Sequence, residues 1–128
     1  MDRLLYICGA LAGFAGAAIG AFGAHALKGR IPPELFGTFE TAVRYHLYHA
    51  LALFAAAWGY ARWQQRAFGI GGGLFLVGIV CFAGSIYLHA WADVLLPGVA
   101  PAGGMALFAG WLCLAWGAYR APRKPTVT

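Results

Sequence analysis

From Leu4 to Ala24 the chain runs for 21 residues without one charged side chain. A helix of roughly 20 apolar residues crosses the hydrocarbon core of a bilayer. Three further apolar stretches follow: about Thr41 to Ala61, with a polar first half, about Ala67 to Leu88, and about Gly104 to Tyr119. Composition points the same way. Of 128 residues 62% are hydrophobic and only 10% are charged, with 9 Lys and Arg and 4 Asp and Glu. A soluble domain carries about 25% charged residues, so this chain lacks the polar surface of a soluble globular enzyme. Disordered chains are poor in apolar residues, which removes that class as well. The expected fold is all-α: a single membrane domain over residues 1–128, built as an integral membrane four-helix bundle.

The connectors agree. Lys28-Gly29-Arg30-Ile31-Pro32-Pro33 is a turn, and Pro32 or Pro33 suits the first turn of the next helix, with Glu34 favourable beside its N-terminus. Arg62 to Arg66 is the short loop after the second span. The segment with Asp93, Pro97 and Pro101 is expected to stay outside a helix, because proline lacks the N–H a helix needs. With four spans, Arg3, Arg62, Arg66, Arg120, Arg123 and Lys124 fall on one side and Lys28, Arg30 and Arg44 on the other. The side richer in Lys and Arg is cytoplasmic, which puts both termini there and the protein in the cell inner (plasma) membrane. The net charge of +5 is then topology, and nucleic-acid binding is not expected. Tyr6, Trp58, Tyr60, Trp63, Trp116 and Tyr119 at one set of span ends, and Tyr45, Tyr87 and Trp91 at the other, suit the membrane interfaces. Ala24-His25-Ala26 imitates a signal-peptidase site, but the apolar run before it exceeds a signal core, and Ile7 before Cys8 makes a poor lipoprotein signal. The first span is expected to be retained.

Gly9, Gly13, Gly16, Gly20 and Gly23 recur at steps of 4, 3, 4 and 3, a heptad seam. Gly103, Ala106, Gly110, Cys113 and Gly117 form a matching stripe in the fourth span. Inside a bilayer helices associate through close backbone approach at small residues. The two stripes are therefore expected to pack spans one and four directly against each other, or to form a homodimer face. Gly69 to Gly73 lacks the third glycine of a G-x-G-x-x-G motif and opens a membrane helix, so it is not a nucleotide loop. Cys8, Cys81 and Cys113 stand singly, without a C-x-x-C, and read as small packing residues.

Ionisable groups inside a span are costly and carry a functional hypothesis. Here they gather at the non-cytoplasmic side: His25, Glu40, Arg44, His46, His49, His89 and Asp93. His49 is the deepest, about 12 Å below Thr41 at 1.5 Å per residue. Glu40 and Arg44 stand at i, i+4 and are expected to form an ion pair. His46 and His49, at i, i+3, can share a metal, with His25 a third ligand and His89 a fourth. The alternatives are hydrogen bonds from each histidine to a neighbouring helix, or a quinone, lipid or proton-relay role with Tyr45. Haem is disfavoured, since no second helix shows a partner at equal depth. Ser85, the only serine, has no evident His–Asp partner, so no catalytic constellation is complete.

Gly20-Ala21-Phe22-Gly23-Ala24-His25-Ala26-Leu27 and Thr41-Ala42-Val43-Arg44-Tyr45-His46-Leu47-Tyr48-His49-Ala50-Leu51-Ala52-Leu53 resemble segments of a small four-span membrane family of unknown function. That family includes the bacterial YgdD-type and YwdK-type proteins and eukaryotic transmembrane protein 256. Shorter similarities follow in family order: Gly84-Ser85-Ile86-Tyr87, Pro101-Ala102-Gly103-Gly104 and Gly110-Trp111. The resemblance implies an inner-membrane protein without an established activity, and it carries His25, Tyr45, His46 and His49 over as motif positions. Members often have Gln at the place of Arg44, and His89 lies outside the pattern. Two expectations follow. The first is a structural or accessory protein, meeting the lipid bilayer, with its own copies or another membrane protein as candidate partners. The second is an outer-leaflet binder of a metal or small ligand (quinone, lipid or haem) that uses His25, His46, His49 and Tyr45.

Overall fold

Four helices account for nearly all of residues 1–122, the residues described in the structure, a computed structural model. They are α1, Asp2–Ala26; α2, Pro33–Trp63; α3, Arg66–Ala92; and α4, Val99–Arg120. No strand occurs among the described residues. Helices α1, α3 and α4 are each long and apolar enough to cross a membrane. Arg123 and Lys124, counted above in the charge asymmetry, lie outside the described residues.

Local chemistry explains the boundaries. Pro32 caps α2 and Pro33 is its first residue, where a missing N–H costs nothing. At its far end Gln64 turns left-handed (φ 52°), and its side-chain amide donates to the Tyr60 carbonyl at 3.1 Å. Helix α4 begins earlier than expected. Pro101 sits inside its first turn, not before it, because the first four N–H groups of a helix lack intrahelical acceptors and a proline there removes no bond.

The small-residue stripes of α1 and α4 do pack, but not against each other. Helices α1 and α4 do not meet. The α1 stripe receives α2: Gly9 faces Ala50 and Leu53, Gly16 faces His46 and Leu47, Gly20 faces Val43, and Gly23 faces Phe39. Gly13 faces open space. The α4 stripe receives α3. A Cβ on Gly71 would sit 3.0 Å from the Gly110 carbonyl oxygen, and one on Gly78 would sit 3.0 Å from that of Gly103. The expected pairing of spans one and four is therefore replaced by two hairpins, α1–α2 and α3–α4. The physical reason lies in the connectors. A short link between consecutive helices makes them antiparallel neighbours, and in each hairpin the small face meets a helix carrying the bulky residues that fill it.

Helices α2 and α3 form the centre and join the hairpins. Phe68 is wedged between Gly59 of α2 and Gly117 of α4, and Phe75 seats on Gly110. Leu53, Ala56, Phe75 and Leu107 make the main core. The glycine run of α3 serves two partners at once: Gly71 faces Leu114 of α4, and Gly72 faces Leu5 of α1. Outer faces remain apolar and uncovered, as at Phe14 (75% exposed) and Leu112 (72%), which fits contact with lipid.

One feature of α3 has no counterpart in the sequence reading. Ile79–Ala83 is a single π-helical turn. The inner positions Phe68, Gly72, Phe75, Ile79, Ala83, Ile86 and Ala90 step by 4, 3, 4, 4, 3 and 4. Both halves of α3 and the wide turn between them pack on α2.

Candidate functional site

The interior of the bundle holds two buried imidazoles on successive turns of α2. His46 is 5% exposed and His49 4%. His49 lies within one residue of the middle of α2, which runs from 33 to 63. The surrounding positions on that face are Ala42, Ala50, Leu53, Ala56 and Ala57, all buried, so the small side chains leave room for the rings.

His49 has both ring nitrogens engaged. Its Nδ1 lies 2.6 Å from the Tyr45 carbonyl oxygen, one turn back on the same helix. Trp111 of α4 donates its indole N–H to Nε2 at 3.1 Å. An indole nitrogen only donates. Nε2 must therefore hold a lone pair and Nδ1 the proton, which fixes the neutral Nδ1–H tautomer. Phe75 of α3 packs on both partners, 5.4 Å from the His49 ring and 5.2 Å from the indole. Tyr45 stacks on His49 at 6.0 Å and touches Phe82 at 5.4 Å.

His46 ties α2 to α3. Its Nδ1 lies 3.0 Å from the Tyr87 hydroxyl, and Phe39 packs on the phenol ring at 5.7 Å. On the other side the imidazole lies against Gly16 of α1, where any Cβ would sit 3.2 Å from His46 Cδ2. Gly16 therefore makes room for the histidine as well as for the helix. No buried side-chain nitrogen or oxygen among the described residues lacks a hydrogen-bond partner.

The other expected site residues are not drawn in. His25 is exposed in the last turn of α1. Its neighbour Gly23 packs on Phe39, seven residues before His46, or about 10 Å along α2. His89 faces Asp93 at 3.8 Å near the end of α3. Among the described residues no three His, Cys, Asp or Glu are grouped to hold a metal. The expected Glu40–Arg44 ion pair does not form either. Arg44 instead donates to Thr41 Oγ1 at 3.2 Å, and the ion pairs of the described residues are His89–Asp93 and the N-terminal amine with Asp2. Both Glu40 and Arg44 are exposed, so each reaches the polar boundary more cheaply than it would hold the other. Cys8, Cys81 and Cys113 are free thiols, each half-buried.

Tyr87 and Trp111, the partners of the two histidines, were not singled out as site residues from the sequence. A signal existed for each. Both close short segments on which the family resemblance rests. Trp111 also sits near the middle of its span, away from the interfaces where tryptophan collects, with an N–H that needs an acceptor.

Fold and interior together define a multi-pass membrane bundle with a polar tie at its centre. Comparison with known proteins agrees. Residues 19–104 match the model of a family described as protein of unknown function, DUF423. The chain is 36% identical over 118 residues to UPF0382 membrane protein YwdK of Bacillus subtilis, covering 88% of this chain and 93% of that one. It is 34% identical over 124 residues to UPF0382 inner membrane protein YgdD of Escherichia coli, covering 96% and 95%. No solved structure matches. The chain belongs to the DUF423 family, and it is a multi-pass protein of the inner (plasma) membrane whose biochemical role is uncharacterised.

Proposed function

We propose that the protein is a structural or accessory membrane component whose buried histidines hold its helices in register and bind no ligand. The observation that carries this reading is the double engagement of His49. With Nδ1 on the Tyr45 carbonyl and Nε2 accepting from Trp111, the ring has no lone pair left for a metal. His46 spends its Nδ1 on Tyr87.

In this reading α2 is the fourth span. Its 31 residues extend about 46 Å, more than the roughly 30 Å of hydrocarbon they must cross. Its histidines face inward, and Glu40 and Arg44 lie toward one end. Four crossings bring both termini to one side, and the surplus of Lys and Arg there makes it cytoplasmic. The uncovered faces of α1 and α4 are then the surfaces that meet lipid, a second copy or another membrane protein.

Elemental analysis and absorbance of the full chain, purified without an affinity tag in mild detergent, test the reading. It expects no stoichiometric metal and no haem or quinone. A stoichiometric metal that disappears in both His46→Ala and His49→Ala would overturn it.

A further inference from the structure

Between α1 and α2, on the lipid-facing side, lies an open groove of about 340 Å³. Ala17 and Ala21 of α1 and Val43 and Leu47 of α2 form its apolar part, Glu40 stands near one end, and Arg44 lies one turn further along. We propose that this groove binds a zwitterionic aminophospholipid of the phosphatidylethanolamine class, its phosphate on Arg44 and its ammonium on Glu40.

The argument is one of charge and place. Two opposite charges one turn apart on a membrane helix would ordinarily neutralise each other. Here they do not. The Glu40 carboxylate has no hydrogen-bond or ion-pair partner among the described residues. Arg44 spends one N–H on Thr41, and a guanidinium has five. A partner for both must carry an anion and a cation a few ångströms apart, and a phosphoethanolamine group does. Ammonium N–H groups give the carboxylate charge-assisted hydrogen bonds that a quaternary ammonium cannot. An anionic phospholipid would satisfy Arg44 and leave Glu40 facing a second negative charge.

Place supports a lipid over a soluble ligand. Glu40 lies seven residues into α2, about 10 Å from its start, at the level where headgroups meet hydrocarbon if α2 spans the bilayer. From there the groove runs seven residues deeper to Leu47 and to Gly16 and Ala17 of α1, along the path an acyl chain takes. Ala17 and Ala21 are exposed, so the groove opens sideways into lipid. The proposal rests on α2 spanning the membrane but not on the histidine ties: its variants leave His46 and His49 untouched, so the two readings fail separately.

The full chain is reconstituted into vesicles holding equal parts phosphatidylethanolamine, phosphatidylcholine and phosphatidylglycerol. It is extracted gently, and the retained lipids are quantified by mass spectrometry. The expected result is an enrichment of phosphatidylethanolamine over phosphatidylcholine of about tenfold, the scale of one charge-assisted hydrogen bond. Ala21→Phe, which fills the groove from its exposed side, abolishes the enrichment with an unchanged melting temperature. Glu40→Gln removes the discrimination between the two zwitterionic lipids, and Arg44→Gln lowers retention of both. Soluble phosphoethanolamine does not displace the lipid. Retained lipid that mirrors the bulk mixture, a preference for phosphatidylglycerol, displacement by the free headgroup, or enrichment surviving Ala21→Phe would each overturn the proposal.

Discussion

Trp111 and His49 meet through a 3.1 Å hydrogen bond between an indole N–H and an imidazole nitrogen, joining residues 62 positions apart in the chain. The bond links α4 to α2, two helices that otherwise barely touch, and it lies near the middle of both. A donor and an acceptor that would each be costly alone in hydrocarbon satisfy one another. Trp111→Phe should therefore destabilise the fold by about 1 kcal/mol, since interhelical hydrogen bonds in membranes run from about 0.6 to 2 kcal/mol. A double-mutant cycle with His49→Phe, read by unfolding in mixed detergent, should show coupling of similar size. Additive effects would mean that the bond contributes nothing to stability.

Glycines of the α1 stripe should divide by what they face. Gly16→Leu drives a side chain into Leu47, 2.9 Å from where its Cβ would sit, and into the His46 ring. Overpacking of this kind costs roughly 1–3 kcal/mol or more, and here it also displaces His46 from Tyr87. Gly13→Ala meets nothing within 4 Å and should be neutral or stabilising by up to about 1 kcal/mol through helix propensity. Thermal melts of the two variants in one detergent check the contrast, and equal effects would contradict the packing described above.

Cross-linking separates the two pairings of helices. With Cys8, Cys81 and Cys113 replaced, cysteines at Ala17 and Leu47, which line one groove, should form a disulfide or a short bismaleimide link within one chain. Cysteines at Leu11 and Phe108, on α1 and α4, should not, because those helices do not meet. Efficient linkage of the second pair within a monomer would restore a closed bundle in which spans one and four touch.

Pro101→Ala should change stability by less than about 0.5 kcal/mol, as expected where no intrahelical bond is at stake. The same melts measure it. A large gain would show that the proline strains the start of α4.

The sequence carried the helices and the packing faces further than it carried the partners. The 4-3 spacing of Gly9, Gly16, Gly20 and Gly23 marks a face that another backbone approaches, but a stripe of small residues is equally ready for any helix. The choice was made by bulky residues that no glycine pattern reveals, Val43 and Phe39 on α2 and Phe68 and Phe75 on α3. Glu40 and Arg44 stand at the spacing of an ion pair, yet spacing does not decide rotamers, and the exposed arginine took Thr41 instead. His46 and His49 were legible as the costly residues of the chain. Their partners Tyr87 and Trp111 were not, because helical periodicity is local and those contacts cross 41 and 62 residues.

The most direct test of the central claim, that His49 is a neutral tie between helices, is the protonation of its ring. Nitrogen NMR of the full chain in bilayers, with ¹⁵N-labelled histidine, reads each ring nitrogen, and loss of one signal set in His49→Phe assigns it. The account predicts a neutral ring near pH 7 with the proton on Nδ1 and an unprotonated Nε2 whose signal shifts in Trp111→Phe. An imidazolium, a proton on Nε2, or an Nε2 signal indifferent to Trp111 would contradict it.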